Sequence, residues 1–223
     1  FKNDSGEFYA FGGLTYRTGK SFALYRAPYW VPDPFNLVHE AGTEYQGFQP
    51  TFETDVRDSN FTVGTKWEML GFNVDLSGTH GRNAVDYEVN NSINTALGAT
   101  SPTSFDVGAY TFKNSLANLD ISRNFDQVNV AFGAEIRQER FTAKAGQPES
   151  YFANGVQSFP GLQPANEVNA KRDNYGVYGE LEWEATEEFL IGGAVRYEDF
   201  SDFGDNTSWK INSRYLLGGG KGA

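Results

Sequence analysis

The chain has 223 residues, no cysteine, and 29 acidic against 18 basic residues, a formal net charge of −11. The lack of cysteine excludes disulfides, thiolate metal sites and cysteine nucleophiles, and the acidic balance argues against nucleic acid as a partner. Aromatic residues and glycine are abundant, but hydrophobic residues make up only 39% of the chain. Such a composition suits long strands with one apolar and one polar face better than a soluble core.

Apolar and polar residues alternate in successive segments, which is the pattern of half-exposed strands. In chain order the clearest segments are "FTVGTKWEM" (61–69), "FNVDLS" (72–77), "LANLDISRNF" (116–125), "VNVAFGAEIRQ" (128–138), "YGVYGELEWEA" (175–185), "FLIGGAVRY" (189–197) and "WKINSRY" (209–215). In the fifth segment, Val177, Leu181 and Trp183 share one face, and glutamates occupy the other. No segment has a helical period, so the sequence predicts an all-β protein of about eight strands.

The predicted connections between strands alternate between short and long. Tight turns are expected near 3–6, 70–71, 126–127 and 185–187, and long polar connections near 28–58, 90–108 and 145–171, with a shorter one at 202–206. Outer-membrane barrels have short turns at one end and long loops at the other. The pattern therefore predicts an antiparallel up-and-down meander from a transmembrane β-barrel.

The predicted turns also set the strand register. With two-residue turns at 70–71 and 126–127, Met69 lies opposite Phe72 and Ile121 lies opposite Phe132. With a turn over 185–187, Trp183 lies opposite Phe189 and Tyr175 lies opposite Tyr197. A slip of one residue would turn every apolar side chain to the polar face.

Aromatic residues of the apolar face fall at two levels, as in the interfacial girdles of a membrane barrel. The girdle near the short turns is predicted to contain Trp67, Phe72, Phe125, Trp183 and Phe189, and the opposite girdle Tyr175, Tyr197 and Trp209. The alternative interpretation is that these side chains form the core of a soluble sandwich.

Six stretches resemble, in order, the barrel of TonB-dependent outer-membrane receptors. They are "FYAFGGLTYR" (8–17), "QGFQP" (46–50), "NNSINTALGATSPTSFDVGAY" (90–110), "VAFGAEIRQERFTAKAGQPESY" (130–151), "FPGLQPANEVNAKRDNYGVYGELE" (159–182) and "GGAVRYEDFSDFG" (192–204). The resemblance implies a bacterial outer-membrane protein that takes up a siderophore, cobalamin or oligosaccharide. It also implies three partners in the parent receptor: membrane lipid, a plug domain and the energy-transducing TonB system.

The family's barrels have about 22 strands, and no plug or C-terminal aromatic residue is recognised in this chain. We therefore expect an internal fragment of a receptor that needs the remaining barrel strands. Residues 216–223, "LLGGGKGA", are expected to be a change of reading frame or an added tail.

Candidate ligand contacts lie in the first long connection, where exposed rings need something to pack against, a ligand or the loops themselves. They are Tyr25, Tyr29, Trp30, Tyr45 and Phe48, with Phe35 among them.

No catalytic residue and no cofactor is predicted. Glu180 and Glu182 are about 6.6 Å apart along one strand face, close enough for a glycosidase pair, but nothing in the sequence marks either as desolvated. No metal site is predicted either. The weak candidate is Asp199, Asp202 and Asp205, in a hairpin tip that we expect to be a solvated acidic loop.

Two alternatives to a transporter stay open at this point. One is a complete small eight-stranded outer-membrane barrel with an adhesive or structural role. The other is a soluble carbohydrate-binding β-sandwich that stacks sugars on its loop aromatics.

Overall fold

The computed structural model describes residues 2–3 and 6–217. Its strands are β1 (Lys2–Asn3), β2 (Gly6–Phe22), β3 (Thr51–Met69), β4 (Phe72–Asn90), β5 (Ser104–Phe125), β6 (Val128–Lys144), β7 (Val168–Glu184), β8 (Phe189–Phe200) and β9 (Gly204–Tyr215). The helical elements between them are short: a 3-10 turn at Thr95–Thr100, helix α1 at Pro148–Tyr151 and a 3-10 turn at Pro164–Asn166.

The strands form one antiparallel sheet in which each strand pairs with its sequence neighbours, in the order β1 to β9. The predicted all-β meander is confirmed, as eight long strands preceded by the two-residue β1. In the described residues β9 pairs only with β8, so the sheet has two edges. Two expectations fall partly outside the described residues: the turn at 3–6, which includes residues 4 and 5, and the altered tail at 216–223, of which 218–223 are not described.

The long connections are shorter than predicted, because the strands continue into polar sequence. The loops run over 23–50, 91–103, 145–167 and 201–203, so residues 51–58, 104–108, 168–171 and 204–206 belong to strands. Residues 51–58 carry polar side chains on both faces, with Phe52 and Val56 as the exceptions, but their backbone pairs with both β2 and β4. Pairing on both sides satisfies the backbone whatever the side chains are, and that is why composition misplaced these boundaries.

The register is as predicted at two of three hairpins. Met69 lies opposite Phe72 and Ile121 opposite Phe132. Leu70 and Gly71 have φ of 55° and 76°, the left-handed pair that a type I′ turn requires.

The predicted register of the β7–β8 hairpin is wrong by two residues, since Trp183 lies opposite Ile191 and Tyr197 opposite Val177. Here the turn extends through residue 188. Thr186 and Phe189 exchange two backbone hydrogen bonds of 3.2 Å, and Thr186 Oγ1 also accepts one from the Phe189 amide at 3.0 Å. A shift of two residues leaves each side chain on its predicted face.

The sheet therefore has an apolar face, which carries Trp67, Ile121 and Val177, and a polar face, which carries Lys66, Asp120 and Tyr178. From Ala131 to Arg140 of β6, the residues of the apolar face are the more exposed ones, in alternation. The buried apolar clusters lie instead at the loop end: one contains Val89, Phe105, Val107 and Val156, and the other Val31, Phe48 and Ile93. Within the described residues, no helix has the length and hydrophobicity needed to cross a membrane.

Candidate functional site

The polar face carries a network of hydrogen-bonded and charged side chains. The Tyr9 hydroxyl donates to Asp75 Oδ1 at 2.7 Å, and the Tyr178 hydroxyl donates to Asp120 Oδ1 at 2.6 Å. Asp75 and Asp120 are direct cross-strand partners, and Lys66 Nζ lies 3.5 Å from Asp75. The two carboxylates are neighbours of like charge, and the tyrosines and the lysine offset their repulsion.

Arg196 is the centre of a second charged group on the same face. Its guanidinium lies 2.9 Å from a Glu198 oxygen and 3.4 Å from a Glu135 oxygen. Glu135 also pairs with Arg137 at 2.7 Å. Glu135 lies on β6, two strands away from Arg196 on β8, and the contact passes over Gly176 of β7. This partner is therefore visible only once the strands are paired.

The two predicted glutamates, Glu180 and Glu182, project from the polar face of β7. Lys210 Nζ lies 3.6 Å from Glu180, and both glutamates are partly exposed. Neither side chain is deeply buried, so neither is a desolvated acid of the kind that general acid–base chemistry uses.

Toward the loop end, the polar face becomes aromatic. Phe52, Tyr87, Tyr110 and Phe141, which we call the aromatic row, come from the four consecutive strands β3 to β6. Their ring centroids are 5.4 Å apart for Phe52 and Tyr87, 5.7 Å for Tyr87 and Tyr110, and 5.8 Å for Tyr110 and Phe141. Phe159, from the third long loop, covers Phe52 at 5.0 Å, whereas Phe141 is 41% exposed. The row therefore has one end closed by a loop and one open end.

A cavity of about 320 Å³ lies between the first two long loops, and we call it the loop pocket. Trp30, Asp33, Phe35 and Leu37 line it from the first loop, and Ile93 and Asn94 from the second. Its walls combine rings and aliphatic side chains with a few polar groups, as small-molecule sites do.

Asp33 holds the wall of the loop pocket together. Its carboxylate accepts hydrogen bonds from the amides of Leu37 at 3.0 Å and Val38 at 2.9 Å, and its Oδ2 lies 2.9 Å from His39 Nδ1. Burial alone would raise the pKa of the Asp33 carboxyl, but these hydrogen bonds outweigh it and hold the pKa below its usual value. Asp33 is therefore a structural anion of the loop.

Arg26 connects the first long loop to the third. Its Nε donates to Gln157 Oε1 at 3.1 Å, and its guanidinium lies 4.7 Å from the centre of the Trp30 ring. Burial lowers the pKa of Arg26 from its ordinary value. Because Gln157 also lines the loop pocket, Arg26 fixes the pocket's position relative to the third loop.

The structure divides the predicted ligand contacts of the first loop into two groups. Tyr45 donates to the Val31 carbonyl at 2.7 Å, Tyr25 donates to the Gln46 carbonyl, and Phe48 is 3% exposed, so these three pack within the loop. Tyr29 is 94% exposed and Trp30 50%. Of the predicted contacts, Trp30 and Phe35 line the loop pocket, while Tyr29 projects into solvent.

Sequence reasoning did not find the aromatic row. A signal was present, because counting by twos from Trp67 places Phe52 on the face opposite to Trp67, among the charged residues. Phe52 lies within the predicted long connection at 28–58, where alternation assigns no face.

The predicted girdle residues all lie on the apolar face. Trp183 and Tyr175 are eight residues apart on β7, about 26 Å along the strand, or about 20 Å along the membrane normal for a tilt near 40°. This spacing is close to the height of the apolar band of outer-membrane barrels. That these residues lie at the two membrane interfaces remains a prediction.

The acidic hairpin tip is open to solvent. Asp199 and Asp205 lie directly opposite each other, and Asp202 in the turn is 3.9 Å from Arg172. Within residues 2–3 and 6–217 there is no group of three or more histidine, cysteine, aspartate or glutamate residues that could hold a metal ion.

The comparison with known families agrees with this architecture. A family model described as TonB dependent receptor-like, beta-barrel, matches residues 2–218. No curated protein and no solved structure matches the chain significantly. Given a family match over almost the entire chain and a regular antiparallel meander with one apolar and one polar face, the chain belongs to the TonB dependent receptor-like β-barrel family.

Proposed function

We propose that the chain forms part of the barrel wall of a bacterial outer-membrane receptor, whose bulky ligand belongs to the siderophore, cobalamin or oligosaccharide class. In this arrangement the apolar face contacts lipid, the polar face lines the lumen, and the long loops lie outside the cell. The family is one of transporters, and the ligand class is our inference.

The observation that carries the proposal is the aromatic row beside the loop pocket. Both lie at the long-loop end of the sheet, and the open end of the row, at Tyr110 and Phe141, faces the lumen side. Stacked aromatic side chains bind sugar rings and conjugated chelators without depending on one hydrogen-bond pattern. Below the row, the charged network of Asp75, Asp120 and Arg196 gives a ligand a hydrated wall to pass.

The partners follow from the edges of the sheet. In a bilayer, unpaired backbone groups along β2 and β9 would each cost several kcal/mol, so we propose that further barrel strands pair with them. A plug domain inside the lumen and the TonB system at the periplasmic side complete the proposed transporter. Catalysis is not part of the proposal, and we expect no glycoside hydrolysis that depends on Glu180 or Glu182.

Binding to the aromatic row tests the proposal. The wild-type chain in detergent is titrated with three probes, a ferric hydroxamate, cyanocobalamin and a maltooligosaccharide, and compared with a Tyr110→Ala/Phe141→Ala variant. We expect one probe to bind, and the double variant to bind it about tenfold more weakly, at roughly 0.5–1.5 kcal/mol per ring.

The matched control is Tyr197→Ala, which removes a ring from the apolar face. This variant is expected to keep the wild-type affinity. A ligand site elsewhere is indicated if the double variant binds normally, and failure of all three probes contradicts the proposed ligand classes.

A further inference from the structure

Four basic side chains form a straight row across the apolar face. Arg82, Lys113, Arg140 and Lys171 lie on β4, β5, β6 and β7, and each is the direct cross-strand partner of the next. We call them the basic row. Side chains directly opposite each other in a sheet have Cβ atoms about 5 Å apart, so four positive charges occupy a strip about 15 Å wide.

Most of the basic row lacks a partner of opposite charge. Lys171 Nζ lies 3.1 Å from Asp173, while Arg82, Lys113 and Arg140 make no ion pair within the part of the chain that the structure describes. On the same face, basic residues of β2 and β3 are paired: Lys20 with Glu53 at 2.9 Å, and Arg57 with Asp86. Like charges directly opposite each other destabilise a sheet, so the basic row needs an anion from outside the chain.

The position of the basic row along the proposed membrane normal indicates the source of that anion. On β6 the apolar band runs from Val128 to Ile136, and Gln138 separates it from Arg140. Arg140 lies four residues beyond Ile136, about 13 Å along the strand and about 10 Å along the normal for a tilt near 40°. That places the charged ends of the side chains at the level of lipid headgroups, just outside the hydrocarbon.

We propose that the basic row binds the phosphate groups of an anionic lipid headgroup in the outer leaflet. Guanidinium groups match phosphate oxygens in bidentate geometry, and the lysines add point charges on both sides of Arg140. A lipid, unlike a soluble anion, also contacts the apolar side chains below the row, so its acyl chains and its phosphates bind to one continuous surface. This inference depends on the membrane orientation of the proposed function.

The probe is diphosphorylated lipid A, titrated into the wild-type chain in neutral detergent, with dephosphorylated lipid A and inorganic phosphate as comparisons. We expect the diphosphorylated lipid to bind more tightly than the dephosphorylated form, and added salt to weaken its binding. Equal binding of the two lipids would overturn the proposal. So would full displacement by inorganic phosphate at the lipid's own concentration, since the site would then recognise a free anion.

The variant for this test is Lys113→Gln/Arg140→Gln, which removes two exposed, unpaired charges. With about 1 kcal/mol for each basic residue at an anionic surface, the double variant should bind the diphosphorylated lipid about thirtyfold more weakly. The matched control is Lys20→Gln/Arg57→Gln, which removes two paired charges from the same face and should change the affinity less than about threefold. Equal losses in both variants would show a general charge effect and refute the assignment.

Two further measurements separate the possible failures. Co-flotation with neutral phosphatidylcholine vesicles tests membrane insertion alone, and a chain that stays in solution contradicts the proposed function itself. A chain that inserts but shows no preference for the phosphorylated lipid refutes only the present inference. The comparison of the two lipids on the wild-type chain decides the question even if the double variant fails to fold.

Discussion

An arginine at the centre of the apolar face is the most direct test of how the sheet is oriented. Ile121 lies on β5 between Val74 and Phe132. It is four residues from Phe125 and four from Ala117 on the same face, about 13 Å along the strand in each direction. Arg123, between Ile121 and Phe125, directs its guanidinium to the Leu70 carbonyl in the short turn, at 2.9 Å. Ile121→Arg therefore places a charge near the bilayer midplane, where arginine on the lipid face of a barrel costs about 2–4 kcal/mol.

The control is the next residue of the same strand. Ser122 lies on the polar face between Asn73 and Ala131, so Ser122→Arg should change the free energy of unfolding by less than about 1 kcal/mol. The free energies of unfolding of the two variants are measured by reversible urea unfolding of the chain in phosphatidylcholine vesicles, with tryptophan emission as the signal. The dependence of the free energy on urea concentration should be the same in both variants and the wild type. Equal costs at the two positions, or a larger cost at Ser122, would refute the assignment of the two faces.

Three other predictions test the loops and the lipid contact. In chains that keep a single tryptophan, brominated lipid should quench Trp67, Trp183 and Trp209, whereas aqueous acrylamide should quench Trp30; the reverse pattern would place the wrong surface in the membrane. Asp33→Asn should speed proteolysis of the first long loop. The folded pKa of Asp33 is lowered, so its ionised carboxylate contributes fully to the stability of the loop above the unfolded pKa near 4. This contribution is lost as pH falls through the folded pKa. Proteolysis of the wild-type loop should therefore become faster at acidic pH and approach the rate of the variant. Replacing Asp199, Asp202 and Asp205 with asparagine should alter stability by less than about 1 kcal/mol; micromolar calcium binding that the variant loses would contradict this.

The sequence alone was sufficient for the fold class and for the face of each predicted strand. Both depend on the side-chain period of two, which a chain with one lipid-facing or core-facing surface cannot violate. Trp67, Ile121 and Val177 all lie on the apolar face, as alternation requires. Two-residue turns were equally informative, because such a turn fixes the pairing of every residue that follows.

What the sequence did not provide were features that arise only when strands are paired. The side chain of Thr186 accepts two backbone hydrogen bonds in the β7–β8 turn, and a composition-based estimate of turn length does not contain that interaction. The aromatic row and the partner of Arg196 on β6 each join residues that are distant along the chain. The strand ends around residues 51–58 were missed because their polar side chains resemble a loop while their backbone is fully paired.

The distribution of burial argues against the soluble sandwich as the alternative fold. A sandwich covers the apolar face of one sheet with a second sheet, but the described strands form a single sheet. Ile136, Val177 and Leu181 are each at least half exposed on its apolar face, while the buried clusters of Val89 and Val31 lie among the loops. Exposing that face to water would cost about 25 cal/mol for each Å² of apolar surface, whereas contact with hydrocarbon would not have this cost. The same residues that make the sheet unfavourable in water make it a suitable barrel wall in lipid.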